Sequence, residues 1–255
     1  MMDAQKEVTP MAESIQSCFK RYEKKYRITK AQQGLIIERM KPFMLEDKFG
    51  KYTICNIYYD TDDWSLIRSS IEKPVYKEKL RVRSYGIPAP DGKVFVEIKK
   101  KYDGVVYKRR ITMPAKNVQP FLSGRIPGSV YGQIGQEISW FQSFYKAEPK
   151  VFIAYDRLAF AGVENSELRI TFDTNLRWRD TELDLTCGDR GEPIIPRDEV
   201  IMEIKIPGTA PLWLSELLSE AGVFPSSFSK YGTCYKNEIL KKQTVNLKKG
   251  EQCCA

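Results

Sequence analysis

Between Lys77 and Arg83, four of the seven residues are basic, and they fall at every second position: Lys77, Lys79, Arg81 and Arg83. Successive side chains of an extended strand point to opposite faces, so all four charges project the same way. Like charges on one strip repel unless a strong anion or a set of carboxylates lies against them. Glu97-Ile98-Lys99 and Glu203-Ile204-Lys205 repeat the theme, each placing an acid and a base on one strand face. Arginine offers a planar fork matched to phosphate oxygens and lysine a compact point charge, so this recurrence points to a polyanionic ligand.

The composition narrows the chemistry further. The 255 residues carry 41 Lys and Arg against 33 Asp and Glu, a formal charge of +8, and no histidine. Ser-His-Asp and Cys-His catalysis, a histidine base and histidine-ligated zinc are therefore excluded. What remains is carboxylate, Lys and Arg chemistry, with room for a carboxylate-bound hard metal. The six cysteines show no C-x-x-C spacing, and Cys253-Cys254 does not fit a lipidation box. Scattered thiols and no long apolar run predict a soluble, cytoplasmic protein with a reducing environment.

Strand patterns must position these side chains. They run over about 19–28, 52–60, 75–85, 93–102, 105–113, 150–161, 167–174 and 199–207. Asp103-Gly104 marks a hairpin turn joining 93–102 to 105–113. Helical spacing covers 30–41 after a Thr29 cap, 132–146, a segment opened by Pro211 and closed by Gly222, and a last helix from Ser227 or Ser229 to about 241. The fold expected is α+β with a mainly antiparallel sheet. Its charged face is either solvated or, if the sheet closes, the lumen of a barrel with helices outside. Residues 1–17 read as a flexible arm and 243–255 as a flexible tail around a single domain over 18–242.

Common phosphate motifs do not fit. Gly86-IPAPD-Gly92-Lys93 has five residues between the glycines, and Val94 stands where a P-loop needs Ser or Thr, so a hairpin connection is expected. The aromatics Phe141, Phe152 and Phe172 alternate with or oppose the charges and read as core, which argues against nucleic acid.

A series of short motifs carries a more specific signal. Glu23-Lys24-Lys25-Tyr26, Tyr58-Tyr59-Asp60-Thr61, and Leu80 through Gly86 come first. Val96-Glu97-Ile98-Lys99, Tyr155-Asp156-Arg157-Leu158-Ala159-Phe160 and Leu168 through Thr174 follow, then Met202-Glu203-Ile204-Lys205 and Phe228-Ser229-Lys230-Tyr231. In that order, over about 19–240, the chain resembles the catalytic VTC domain of polyphosphate polymerases, a group of the triphosphate tunnel metalloenzymes. The resemblance implies an antiparallel β-barrel of about eight strands whose tunnel holds ATP. It also implies transfer of the γ-phosphoryl group to a growing polyphosphate chain, with ADP released.

Carried over by position, Lys25, Arg81, Arg83, Lys99, Arg157, Arg169 and Lys205 would hold the reacting phosphates. Tyr155, Lys230, Lys108, Arg110 and Lys79 would bind substrate, with the facing of Lys108 and Arg110 left open by the adjacent Arg109, and Lys77 and Lys79 reduced to steering. Glu203 would bind Mn²⁺ or Mg²⁺, and Glu97 and Glu23 would orient the bases or help hold that metal. ATP and inorganic polyphosphate are the partners implied, with a membrane-embedded protein beside the enzyme in some family members. A triphosphate hydrolase of the same superfamily and a polyphosphate sensor without turnover are the alternatives.

Overall fold

The computed structural model describes residues 21–242, so the arm over 1–17 and the tail over 243–255 lie outside the described residues. Ten strands form one antiparallel sheet: β1 (Arg21–Thr29), β2 (Met44–Glu46), β3 (Tyr52–Asp60), β4 (Tyr76–Tyr85), β5 (Lys93–Tyr102), β6 (Val105–Pro114), β7 (Glu148–Gly162), β8 (Arg169–Arg179), β9 (Glu192–Pro193) and β10 (Glu199–Pro207). Eight follow the order β1-β10-β8-β7-β3-β4-β5-β6, with β2 added to β7 and β9 to β8. The eight-stranded antiparallel expectation is met, with β1 and β6 as the two ends of the hydrogen-bonded path. Asp103 and Gly104 take φ of 42° and 81° at the β5–β6 turn, the left-handed pair that a two-residue hairpin needs. Gly86 to Gly92 is the β4–β5 connection rather than a phosphate loop.

Helices α1 (Lys30–Met40), α2 (Ser65–Ile71), α3 (Val118–Leu122), α4 (Gly132–Tyr145), α5 (Leu212–Glu220) and α6 (Lys230–Cys234) accompany the sheet, and α6 runs on into a π-helical turn at Tyr235–Ile239. Thr29 caps α1 through a reciprocal capping box with Gln32. Alternation assigns each strand two duties. Tyr26, Ile28, Ile170, Phe172, Met202, Ile204 and Ile206 pack on one side with Ile36 and Met40 of α1 and Leu214 and Leu217 of α5. Val82, Val96 and Ile98 pack with Phe121 of α3 and with Ile138 and Phe141 of α4. Burying one such side chain contributes roughly 1.5–3 kcal/mol, enough to fix the register and drive the charges to the other face.

A third cluster holds α2 and α6 against the sheet through Ile67, Tyr231 and Tyr235. Asp60, fully buried, ties the two helices together. Its carboxylate accepts from the backbone N–H groups of Leu66 and Ile67 (2.9 and 3.0 Å) and from the Tyr231 hydroxyl (2.7 Å). The Tyr231 ring stacks on Tyr58 at 4.6 Å. Among the described residues, no helix is long and apolar enough to cross a membrane.

Candidate active site

Register brings the sequence-selected charges onto one face. Arg81 on β4 stands opposite Glu97 on β5, and Lys79 opposite Lys99. Across β5–β6, Lys99 faces Lys108 and Glu97 faces Arg110, whereas Arg109 points the other way and pairs with Glu137 of α4 at 3.0 Å. On the far side of the sheet Lys25 stands opposite Glu203 and Glu23 opposite Lys205. β7 adds Tyr155 and Arg157, the latter opposite Asp173 of β8, and the start of α6 adds Lys230.

These groups converge on a cavity of about 240 Å³. It is lined by Glu23, Lys25, Tyr58, Lys79, Arg81, Arg83, Glu97, Lys99, Lys108, Tyr155, Arg157, Glu203, Lys205, Ser229, Lys230 and Tyr231. Nine cations thus face three carboxylates. That imbalance is costly in an enclosed space and is relieved by a multivalent anion.

Two buried carboxylates hold the cations in place. Glu97 sits 2.7 Å from Arg81, 2.8 Å from the Lys108 ammonium and 3.9 Å from Arg83. Burial alone would raise its carboxyl, but Arg81, Arg83 and Lys108 bring it down to about 2. Asp173, fully buried behind the cavity wall, takes a two-pronged contact from Arg157 (2.6 and 2.8 Å) and a third from Lys230 (2.6 Å). Lys230 and Arg157 overcome its burial and hold it near 2 as well. The Tyr155 ring lies between those cations, 4.4 Å from the Lys230 ammonium and 5.3 Å from the Arg157 guanidinium. Arg83 donates to Asn56 Oδ1 (2.9 Å) and to the Tyr155 hydroxyl (3.2 Å), and Arg81 donates to the Tyr58 hydroxyl (3.3 Å). Burial opposes ionisation of both phenols, yet Arg81 at Tyr58 and Arg83 at Tyr155 prevail and shift them below the ordinary range.

Lys79, Lys99 and Lys108 are under the opposite stress. Burial lowers Lys99, and it lowers Lys108 despite the contact with Glu97. Lys79 is pulled down to about 8 by burial, with Lys77, Lys99 and Lys25 adding repulsion and Tyr58 opposing. Lys25 donates to the Phe228 carbonyl at 3.2 Å. A second cavity of about 350 Å³ continues from the first through shared Lys25, Lys79, Lys99 and Ser229. Its wall adds Lys73, Lys77, Lys101 and Lys236 with Ser70, Ser227 and Thr233, and it contains no carboxylate or arginine. Lys79 therefore forms part of the partition between two basic cavities, deeper than a steering position.

Of the residues singled out from sequence, Arg169 and Arg110 are not among those lining either cavity. Arg169 shares the concave face, opposite Lys205, but its guanidinium reaches out to Asp47 at 3.1 Å. Arg110 lies over the Phe95 ring at 4.8 Å. Conversely, Tyr58, Asn56 and Asp173 belong to the site without having been assigned to it. β3 is buried on both faces from Ile54 to Asp60, so alternation could not orient Tyr58. Asp173 shares a strand face with Arg169 and Thr171 in the sequence, but its two partners are supplied by distant segments.

The family resemblance implies a divalent metal. Among the described residues no three His, Cys, Asp or Glu side chains gather closely enough to hold one alone. Glu97 is committed to three cations and orients them instead. Glu203 and Glu23 lie diagonally across the β1–β10 register on the cavity face, and among the described residues Glu203 forms its ion pair with Lys205, at 3.3 Å. Burial would raise its carboxyl, but Lys205, Lys25 and Lys230 hold it ionised below the usual range. Carboxylate oxygens of this kind fit a hard ion that fills its remaining positions with water and phosphate oxygens.

Comparison with known proteins bears on the family and the fold. A model of the VTC domain matches residues 20–239. A candidate adenylate cyclase from Bacillus halodurans is 14% identical and has a TM-score of 0.51, covering 86% of this chain and 95% of that one. A candidate adenylyl cyclase from Hippeastrum, described as having a dominant triphosphatase activity, is 17% identical and covers 82% of this chain and 92% of that one, with a TM-score of 0.45. The first supports the fold alone, and the second is too distant in shape to add to it. No curated protein matches the chain.

Proposed function

The chain belongs to the VTC domain family, and from that premise we propose that it is an ATP-dependent polyphosphate polymerase. The observation that carries the reading is the pair of joined cavities. One combines arginines, tyrosines and three carboxylates with lysines; in the other the charged residues are lysines alone, set among hydroxyls with Ile67, Ile71 and Gly232. The first suits a triphosphate held in one geometry; the second suits a flexible polyanion that must be gripped without being fixed. A triphosphate hydrolase has no need of the second space.

In this reading Arg81, Arg83 and Arg157 neutralise the oxygens of the transferring phosphoryl group, and the Tyr58 and Tyr155 hydroxyls donate hydrogen bonds to it. Glu97 and Asp173 keep those cations from moving as charge shifts, which is where preorganised electrostatics contributes most. Lys205, Lys25 and Lys230 neutralise the remaining phosphates. Glu203, with Glu23 beside it, would hold Mn²⁺ or Mg²⁺, which supplies charge neutralisation on the phosphate oxygens when bound. The bond between the γ-phosphorus and the β,γ-bridging oxygen breaks, and one forms to a terminal oxygen of the chain. That oxygen is already anionic, so no general base is required and the absence of histidine is no handicap. The reading extends to a cytoplasmic location, where ATP is supplied, and to a membrane-embedded partner that takes the chain onward.

Incubating the pure protein with ATP and Mn²⁺ and resolving products by gel is the test. Long chains together with ADP support the polymerase. Free phosphate without chains would establish the hydrolase, and tight polyphosphate binding without turnover the sensor. Glu203→Gln should abolish metal-dependent synthesis while retaining tripolyphosphate binding.

A further inference from the structure

Val105 to Arg110 are exposed on both faces of β6, while Ile98 and Ile111 farther along the same hairpin are buried under α3 and α4. The β5–β6 turn therefore projects past those helices. Asp103 ties the start of β4 to it, donating its backbone N–H to the Val75 carbonyl at 3.0 Å. Register sorts the projecting side chains into two faces. Tyr76 stands opposite Tyr102 and Tyr102 opposite Val105, with Tyr107 next, on the face that Leu80 and Ile98 bury farther in. Val106 stands opposite Lys101, and Lys101 opposite Lys77, on the other face. Val75, Tyr76, Tyr102, Val105, Val106 and Tyr107 are all between 46% and 65% exposed. Helix α4 extends the apolar side. Its exposed Trp140 and Phe144 stack at 5.1 Å, Phe144 meets Tyr145 at 4.8 Å, and the Tyr145 hydroxyl donates to Glu78, one row in from Tyr76, at 2.9 Å.

Six exposed apolar side chains on one tip mark an interaction surface, and the charge around them identifies the partner. Burial and the neighbouring Lys101, Lys99 and Lys73 lower the Lys77 ammonium, so the basic collar behind the tip carries one sign. Two copies meeting tip to tip would press those collars together and repel. A flat protein surface covers one face of a hairpin, whereas a fluid layer surrounds both. Tyrosine and tryptophan settle where hydrocarbon meets headgroups, and anionic headgroups neutralise lysines held at that level. We propose that the β5–β6 tip is a peripheral membrane anchor, setting Tyr102, Val105 and Val106 into the boundary of an anionic bilayer with Lys73, Lys77 and Lys101 on its headgroups. The anchor stands on this surface alone and is independent of the reaction that the cavities support.

Co-sedimentation with vesicles of phosphatidylcholine alone, and of phosphatidylcholine mixed with phosphatidylserine, tests it. The protein should pellet with the mixed vesicles and about tenfold or more weakly with the neutral ones, since each lysine near an anionic surface contributes about fivefold. Tyr102→Ser combined with Val105→Ser should weaken binding to mixed vesicles by about tenfold or more. Val106→Glu, which sets an acid among the lysines, should do the same. Both variants alter exposed positions and should melt with the unaltered protein, which reports an intact fold. Saturating tripolyphosphate should leave most of the vesicle binding in place, because an inserted tip does not need the cavities. Failure to pellet with mixed vesicles, equal pelleting with neutral ones, or folded variants that pellet as the unaltered protein does overturns the anchor. Vesicle binding abolished by tripolyphosphate also overturns it and assigns the lipid phosphates to the cavities. A dimer in sedimentation equilibrium that the serine variant dissolves overturns it as well, making a second copy the occupant.

Discussion

Replacing Lys79 with methionine should make the empty protein more stable and a poorer anion binder. Lys79 is part of the wall between the two cavities, where burial and the ammonium groups of Lys77, Lys99 and Lys25 pull it down to about 8. The same group titrates near 10.4 in an unfolded chain. A drop of that size corresponds to about 3 kcal/mol, a ceiling because the side chain keeps partial contact with solvent. The native state binds fewer protons than the unfolded state between pH 8 and about 10.4, so stability rises with pH across that window. Below pH 8 the full cost of the charged lysine is present, and the methionine variant escapes it. At pH 7 the variant should gain about 1–3 kcal/mol, and melting should rise by roughly 2–4 °C for each. The advantage should shrink toward zero by pH 10. Tripolyphosphate reverses the stress by raising the Lys79 pKa, so binding at pH 9 should take up protons in the unaltered protein and fewer in the variant. Calorimetry in buffers of different ionisation enthalpy reads that uptake. A variant that melts no higher at pH 7, or a gap that does not change with pH, would refute the strained-lysine argument.

Two further substitutions probe the supports of the site. Asp173→Asn leaves Arg157 and Lys230 buried without their carboxylate and should cost about 3–5 kcal/mol in urea unfolding, with weaker tripolyphosphate binding; an unchanged midpoint would show that the trio contributes no net stability. Arg169→Ala breaks only a part-exposed contact with Asp47 and should stay within about 1 kcal/mol of the unaltered protein. Turnover should nonetheless fall at least tenfold if the guanidinium turns inward to meet phosphate, and normal turnover would remove Arg169 from the site.

The strands at 52–60, 93–102 and 199–207 were legible to the residue: in the last two, hydrophobic positions alternate with charged ones over most of the length, and the first is a run of β-branched and aromatic residues buried on both faces. The strand begun near 167 runs on to Arg179 past a bulge: Asn175 takes φ of 51°, and Leu176 and Trp178 then pack in a different cluster from Ile170 and Phe172, a shift that reads in sequence as an ending. The strand at Met44–Glu46 and the helix at Ser65–Ile71 were missed, the first too short for a period to show. The helix depends on Asp60, which satisfies its first backbone N–H groups from outside the helical pattern. At the site, residue type and strand face sufficed for Arg81, Arg83, Glu97 and Glu203. They did not suffice for the partition at Lys79, which is set by Lys25, Tyr58 and Lys99 from three other strands. Nor could they separate Arg169 from the cavity, since that depends on where Asp47 sits.

The unjoined ends of the sheet have a consequence for how ligand uptake answers to salt. β1 and β6 end the hydrogen-bonded path, and their cavity residues Glu23 and Lys108 keep 40% and 42% of their side chains in solvent. Electrolyte therefore reaches the charged interior, where the screening length in physiological salt is about 8 Å. If the proposed function holds, the empty protein would behave as an ion exchanger whose counter-anions each bound phosphate displaces. Affinity should then track the logarithm of salt concentration with a steep slope, so that the local ionic medium strongly influences how full the interior is.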